Sequence, residues 1–253
     1  MIYITYADIQ KRIRRRKIRF RIFMFIIVLS TIGIYMFTYP IIKVKNIEVS
    51  GNNIVPTDKI IALSEINKGD NMLKLNMRRI RENIYTNPYV EVCKVKRSVL
   101  GYVYITINER MNAGIAPYNG KYITFDKKGV IIEILDKSNS VNLPLISGLN
   151  IKSAMPGKLM EVSDQRQLEA VKIIFDGITT SDLSDIISGV DITNLLSILL
   201  KTNHGFNIEI GTIDNIDKKL MISKEIIEKD ILKRELKGTL DVSFEGNPVF
   251  RLQ

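Results

Sequence analysis

Cysteine and histidine each occur once among the 253 residues, and tryptophan is absent. One cysteine excludes an internal disulfide framework and a cysteine-based zinc cluster. One histidine excludes two-histidine catalysis and a histidine-rich metal shell. Seven prolines and fifteen glycines are too few for a fibrous or linker-dominated chain. With 45% hydrophobic and 25% charged residues, the composition is that of a folded protein. Catalytic motifs are missing as well. Lys68-Gly69-Asp70 lacks the glycine spacing of a phosphate cradle, and neither a nucleophile elbow nor a zinc-binding helix occurs.

The residues able to do chemistry stand in bland settings. His204 lies in the polar turn Thr202-Asn203-His204-Gly205 between two apolar strands and reads as a hairpin tip. Cys93, close to Val92 and Val95 in a strand pattern, reads as an inert packing residue. Asp182 with Asp185, and Glu225 with Glu228, have the spacing of solvated surface pairs. No catalytic residue, metal ligand or cofactor is expected, and no small-molecule substrate. An interaction protein fits better than a membrane-anchored enzyme, which needs titratable groups converging in a pocket.

The net charge of +10 is concentrated at one end. Lys11, Arg12, Arg14, Arg15, Arg16, Lys17, Arg19 and Arg21 form a dense basic cluster. Without them and Asp8 the chain has 29 bases against 26 acids, so the rest is close to neutral. Ile22 to Ile42 follows with no charged residue, long enough as a helix of roughly 30 Å to cross a bilayer core. A cleaved signal would have an apolar region of about 7 to 15 residues and a small-residue cleavage site, and neither is present. Lysine and arginine stay on the cytoplasmic side, so the cluster is a topology signal that sets the N-terminus inside and everything after Lys43 outside. A basic nucleic-acid arm does not explain the apolar run, and no nucleic-acid partner is expected. Tyr35 and Tyr39 fall near the outer interface, and Pro40 marks a helix end. The expected organisation is a basic cytoplasmic tail over 1–21, a transmembrane helix over 22–42, and two extracytoplasmic units over 43–112 and 113–253.

The first unit reads strand, helix, helix, strand, strand. Ile47 and Val49 alternate with polar residues up to the Ser50-Gly51-Asn52-Asn53 turn. Pro56 opens a helix through Ile60, Ile61 and Leu63, which stops at Lys68-Gly69-Asp70-Asn71. Leu75 to Tyr85 reads as a second helix, with Leu75, Ile80 and Ile84 inward and Arg78, Arg79 and Arg81 on a solvated face. Val90 to Arg97 and Tyr102 to Glu109 are strands joined by a turn at Gly101. The expected core is Ile47, Val49, Ile60, Leu75, Ile84, Val95 and Ile105.

This order and its wording resemble the POTRA domain of the FtsQ/DivIB cell-division proteins. The resemblance is carried by Ile47, Val49, Gly51 and Asn52; by Gly69 and Asn71; by Asn87, Pro88, Tyr89 and Val90; by Val95 and Arg97; and by Ile105, Ile107, Glu109 and Arg110. Leu100 and Asn112 depart from it, standing where the family has prolines. The second unit resembles the family more loosely. Asp126-Lys127-Lys128-Gly129 makes a hairpin loop between Tyr122–Phe125 and Val130–Ile134, and Leu143-Pro144-Leu145-Ile146-Ser147-Gly148 matches another family segment. Ser163 to Phe175 is an amphipathic helix capped by Ser163 or Asp164. Strands follow near 186–192, 195–202 and 206–210, then helically spaced Ile216, Leu220, Ile227 and Ile231. The expected fold is α+β: a single N-terminal transmembrane helix, a POTRA domain, then a larger mixed β-sheet domain with flanking helices.

Thr239, Leu240, Asp241, Val242, Ser243 and Phe244 read as the terminal strand, with Leu240, Val242 and Phe244 on one face; that face closes the core, or the strand lies at a sheet edge able to accept a partner strand, and one strand can do both. The resemblance implies that this segment captures bitopic division proteins of the FtsB/DivIC and FtsL type. It also implies a non-enzymatic scaffold of the cell membrane at the division septum that helps recruit and regulate septal peptidoglycan synthesis. The other reading of a POTRA module is a chaperone or assembly factor in protein translocation at the cell envelope. That reading expects several repeats or a C-terminal barrel, and one repeat and no barrel are visible.

Overall fold

A computed structural model describes residues 6–38, 42–137, 142–234 and 236–252, with side chains in the first helix described over 14–35. The chain divides into two compact units, Met1–Ile84 with Cys93–Ile107, and Tyr85–Val92 with Asn108–Gln253.

The first unit begins with helix α1, Tyr6–Thr38. Within it Arg14–Tyr35 is long and apolar enough to cross a membrane. The basic cluster is helical and continuous with the apolar run, so no break separates tail from span at residue 21. Arg14, Arg15, Arg16, Lys17, Arg19 and Arg21 are exposed. Tyr39 and Pro40 lie outside the described residues, as do the side chains of Lys11 and Arg12.

Strand β1 (Asn46–Ser50) follows, then α2 (Thr57–Ser64), α3 (Met77–Ile84), β2 (Val90–Arg97) and β3 (Tyr102–Glu109). The sheet runs β1-β3-β2, with β1 parallel to β3 and Val49 opposite Ile105. Pro56 sits at the N-cap of α2, and Glu65 ends that helix at φ 56. Ile60, Ile80, Ile84, Val95, Val103 and Ile105 are buried between the helices and the sheet. Gly51 is required: at φ +82, a β-carbon there would lie 2.1 Å from the Ile107 carbonyl oxygen.

Three expected core residues are only half-buried. Ile47 and Val49 lie on a strand paired on one side alone, which leaves their other flank open. Leu75 falls outside α3, because the Asn76 carbonyl oxygen Oδ1 accepts the Arg78 and Arg79 N–H groups at 3.1 Å each and starts the helix after it. Arg78 and Arg79 are exposed and paired with Glu82 and Glu65, as a solvated face requires.

The second unit is built on a nine-stranded sheet. Its strands are β4 (Gly114–Tyr118), β5 (Lys121–Phe125), β6 (Ile131–Leu135), β7 (Leu145–Ser147), β10 (Ile187–Asp191), β11 (Ile198–Thr202), β12 (Asn207–Gly211), β13 (Gly238–Asp241) and β14 (Val249–Leu252). Their order is β14-β13-β12-β11-β10-β7-β4-β5-β6, and a separate ribbon pairs β8 (Ile151–Ser153) with β9 (Glu161–Val162). Helix α4 (Gln165–Thr180) is capped by Asp164, whose carboxylate accepts the Arg166 N–H. Leu168, Val171, Ile174, Phe175 and Ile178 of α4 pack with Ile216 and Leu220 of α5 (Ile216–Ile226) in the same core as Ile123, Leu200, Ile208 and Leu240 of the sheet. A π turn, Ile227–Ile231, and α6 (Leu232–Arg234) complete the crossover that parallel pairing of β12 and β13 demands. The architecture is α+β, as expected.

Inside this unit one ion pair is nearly dry. Arg110 Nη1 lies 2.6 Å from Asp126 Oδ2, with side chains 15% and 6% exposed. The other carboxylate oxygen accepts the Lys128 and Val130 N–H groups at 2.9 and 2.8 Å, closing the β5–β6 hairpin. The Arg110 N–H donates to the Tyr89 carbonyl at 2.7 Å, and the Tyr89 hydroxyl is pushed up to about 12 by burial and by its hydrogen bond to Glu133.

Two stability measurements test this packing. Ile105→Ala, at a fully buried site, should destabilise the protein by about 2 to 4 kcal/mol, and Val49→Ala by about 1 kcal/mol. Equal losses in chemical denaturation would contradict the edge position of β1. Arg110→Ala strands a buried carboxylate and should cost roughly 3 to 5 kcal/mol, whereas Arg78→Ala, whose pair is exposed, should cost under about 1 kcal/mol.

Candidate partner-binding edge

The segment expected to bind a partner, Thr239 to Phe244, occupies a different place from the one its alternation suggested. Leu240 and Val242 are buried, 1% and 4% exposed, and belong to the core, so that face closes the domain. The strand itself ends at Asp241, and Ser243 and Phe244 lie in the connection beyond it. Phe244 is exposed. Nor is β13 the last strand or the edge. It pairs in parallel with β12 on one side and antiparallel with β14 on the other, Thr239 facing Arg251 and Asp241 facing Val249. The expected free edge therefore belongs to β14. Sequence reasoning missed this strand because Val249-Phe250-Arg251-Leu252 is four residues long with little alternation. The available signal was Gly246-Asn247-Pro248, a turn sequence with an apolar stretch on either side.

The open face beside this edge has a definite chemistry. Cross-strand partners align Asp191, Leu199, Glu209, Asp241 and Val249 in one row over five strands. Three of the five are acids. Arg251 Nη2 bridges two of them, 2.8 Å from Glu209 Oε2 and 2.6 Å from Asp241 Oδ2, and so ties β14 to β12 and β13. Asp241 also accepts the Ser243 N–H at 3.0 Å and hydroxyl at 2.7 Å. Hydrogen bonds from Thr193 hold the Asp191 carboxyl below the usual carboxylate range. Asp191, Leu199, Glu209 and Arg251 line an open trough of about 670 Å³ that also takes in Thr239 and Leu252.

The neighbouring end of β12 is fixed by Lys219. Its Nζ donates to the Ile210 and Thr212 carbonyls at 2.8 and 3.0 Å, and burial pulls its pKa below the usual lysine range. Elsewhere the chemistry-bearing residues sit as the sequence suggests. His204 is exposed in the β11–β12 turn. Cys93 is buried, and burial pushes its thiol up. Asp182 pairs with Lys224, and Glu225 with Lys229. Among the described residues no cluster of His, Cys, Asp and Glu can hold a metal ion.

Comparison with known proteins agrees with this architecture. A family model described as "POTRA domain, FtsQ-type" matches residues 42–110. The chain is 31% identical over 251 residues to a protein named cell division protein DivIB from Clostridium botulinum strain Hall, covering 98% of this chain and 96% of that one. It is 31% identical over 220 residues to cell division protein DivIB of Clostridium acetobutylicum, covering 85% and 84% of the two chains. Cell division protein FtsQ of Syntrophotalea carbinolica is 26% identical over 220 residues, covering 78% and 77%. With such similarity along almost its whole length, and with a helix long and apolar enough to cross a membrane ahead of its POTRA domain, the chain belongs to the FtsQ/DivIB family of membrane-anchored cell-division proteins.

Proposed function

We propose that the protein is a non-catalytic scaffold of the division septum that captures a partner's extended segment at the free edge of β14, beside Thr239 to Phe244. The observation that carries this reading is the outer side of β14, which no strand among the described residues pairs, next to a row of acids. An edge strand offers backbone N–H and C=O groups to an incoming strand, and the flanking side chains select it. Asp191 and Glu209 line the trough with Arg251, and Asp241 pairs with that same arginine, so the segment that fits presents basic side chains on that face. The partners are bitopic division proteins of the FtsB/DivIC and FtsL type, through which septal peptidoglycan synthesis is recruited and regulated. The basic cluster holds the N-terminus in the cytoplasm and the two folded units outside.

Consecutive proline substitutions test the edge. In an antiparallel strand successive N–H groups point to opposite sides, so of Phe250 and Arg251 one donates toward β13 and the other outward. Phe250→Pro and Arg251→Pro, taken together, should therefore yield one variant that keeps β13 paired yet binds a partner ectodomain at least about tenfold more weakly. Wild-type affinity in both folded variants would move the site elsewhere. For topology, a reporter active only outside the cytoplasm, fused after Gln253, should give signal. Replacing the eight bases of the cluster by glutamine should reduce that signal by mixing orientations.

A further inference from the structure

The hairpin joining β2 to β3 ends in two uncovered apolar side chains, with Val99 80% and Leu100 66% exposed. Single exposed apolar residues are common, so position decides whether these matter. Strand β1 pairs with β3 in parallel, Asn46 opposite Tyr102. Parallel strands begin at the same end, so the start of β1 and the hairpin leading into β3 lie side by side. The Lys45 N–H donates to the Gly101 carbonyl at 2.7 Å, and a β-carbon on Gly101 would lie 2.6 Å from the Lys43 carbonyl oxygen. Helix α1 ends at Thr38, and the four Cα steps from there to Ile42 reach at most about 14 Å. Covalent connectivity thus keeps the hairpin tip close to the bilayer surface, whichever way the helix is directed.

The groups around the tip have the chemistry of that surface. Lys43, Lys45, Lys96 and Arg97 flank it and are exposed. Lys68 joins them, because the Gly69 N–H donates to the Val44 carbonyl at 2.8 Å. The Asp70 carboxylate in the same loop accepts the Asn67 N–H at 2.8 Å. On β3, just behind the tip, the Tyr102 and Tyr104 rings stack with centroids 6.4 Å apart. A bilayer presents hydrocarbon, then an interface that favours tyrosine, then anionic headgroups that attract cations. The hairpin end offers an apolar tip, amphipathic rings and a ring of bases.

We propose that Val99 and Leu100, surrounded by Lys43, Lys45, Lys68, Lys96 and Arg97, insert into the adjacent leaflet of the protein's own membrane as an interfacial anchor that prefers anionic lipid. Two side chains bury too little apolar surface to bind a membrane alone. The short tether makes the contact intramolecular, so a weak affinity suffices at the high effective concentration it imposes. This surface is separate from the β14 edge, and its occupancy requires neither a bound partner nor a particular orientation of α1.

The absence of tryptophan supplies the test. Leu100→Trp places a sole indole at the tip, and Ile54→Trp places one beyond the opposite end of β1, at a site 52% exposed. Each full-length variant is reconstituted into vesicles of phosphatidylcholine and phosphatidylglycerol with brominated acyl chains. Tryptophan at 100 should emit to the blue and be quenched at least twofold more than tryptophan at 54, and this excess should shrink in vesicles of phosphatidylcholine alone. Equal quenching at the two positions overturns the proposal, and so does an excess that is undiminished without anionic lipid. Val99→Trp repeats the measurement at the second tip residue, so that a folding defect in one variant does not decide the result.

Discussion

Parallel pairing between β1 and β3 is the constraint from which the layout of the first unit follows. The chain enters β1 soon after α1, so whichever strand receives β1 inherits its polarity. Because β3 receives it in parallel, with Ile47 opposite Val103 and Val49 opposite Ile105, the β2–β3 hairpin is brought back to the entry point. The helices α2 and α3 are the crossover that a parallel pair requires. Their apolar residues, Ile60, Ile80 and Ile84, then bury against Val103 and Ile105. An antiparallel arrangement of the same residues would have sent the hairpin to the far end of the strand.

A second parallel pair organises the second unit. Strand β13 reaches β12 only after the crossover formed by α5, the π turn and α6, and that crossover supplies Ile216, Leu220, Ile227 and Ile231 to the core. The burial of Leu240 and Val242 therefore depends on the same helices that bring the chain back. One face of β13 is committed to packing, while Thr239 and Asp241 remain on the other with Arg251 of β14 across from them. Core packing and polar surface are divided between the two faces of one strand, as period-two alternation allows.

Much of this was legible in the sequence, and for identifiable reasons. Strands β2 and β3 were readable to the residue, because strict alternation of Val103, Ile105 and Ile107 with polar neighbours is what a half-covered sheet imposes. Asp126 to Gly129 was readable as a hairpin, since Gly129 adopts φ +79. Elements whose residues contradict their own propensity were not. Strand β4 contains Gly114 and Pro117 and is held by neighbours on both sides. Leu75 has the right spacing for a helix stripe, yet the Asn76 cap starts the helix two residues later. At the candidate site the strand around Thr239 to Asp241 was legible, but Asp191, Glu209, Arg251 and the free edge were not. Which strand lies outermost is settled by where β14 folds back, a long-range pairing that local pattern does not encode.

The identity of that edge changes the physics of recognition. A long, apolar strand at a sheet border pairs with any extended chain, itself included, and natural proteins suppress this with short edges and charge. Strand β14 is four residues long and carries Arg251, which Glu209 and Asp241 engage through salt bridges. Backbone bonds along so short an edge give little affinity by themselves, so selectivity passes to the side chains flanking it. Those are the acids of the open face, and their charge penalises an acidic strand while favouring a basic one. Arg251 gives the edge a further property. On the proposed reading, a partner base approaching Glu209 or Asp241 would compete with Arg251 for the same carboxylates, coupling capture to the bond that ties β14 to its neighbours. The proposed binding at this edge would then depend on the position of the terminal strand as well as on the sequence of the partner.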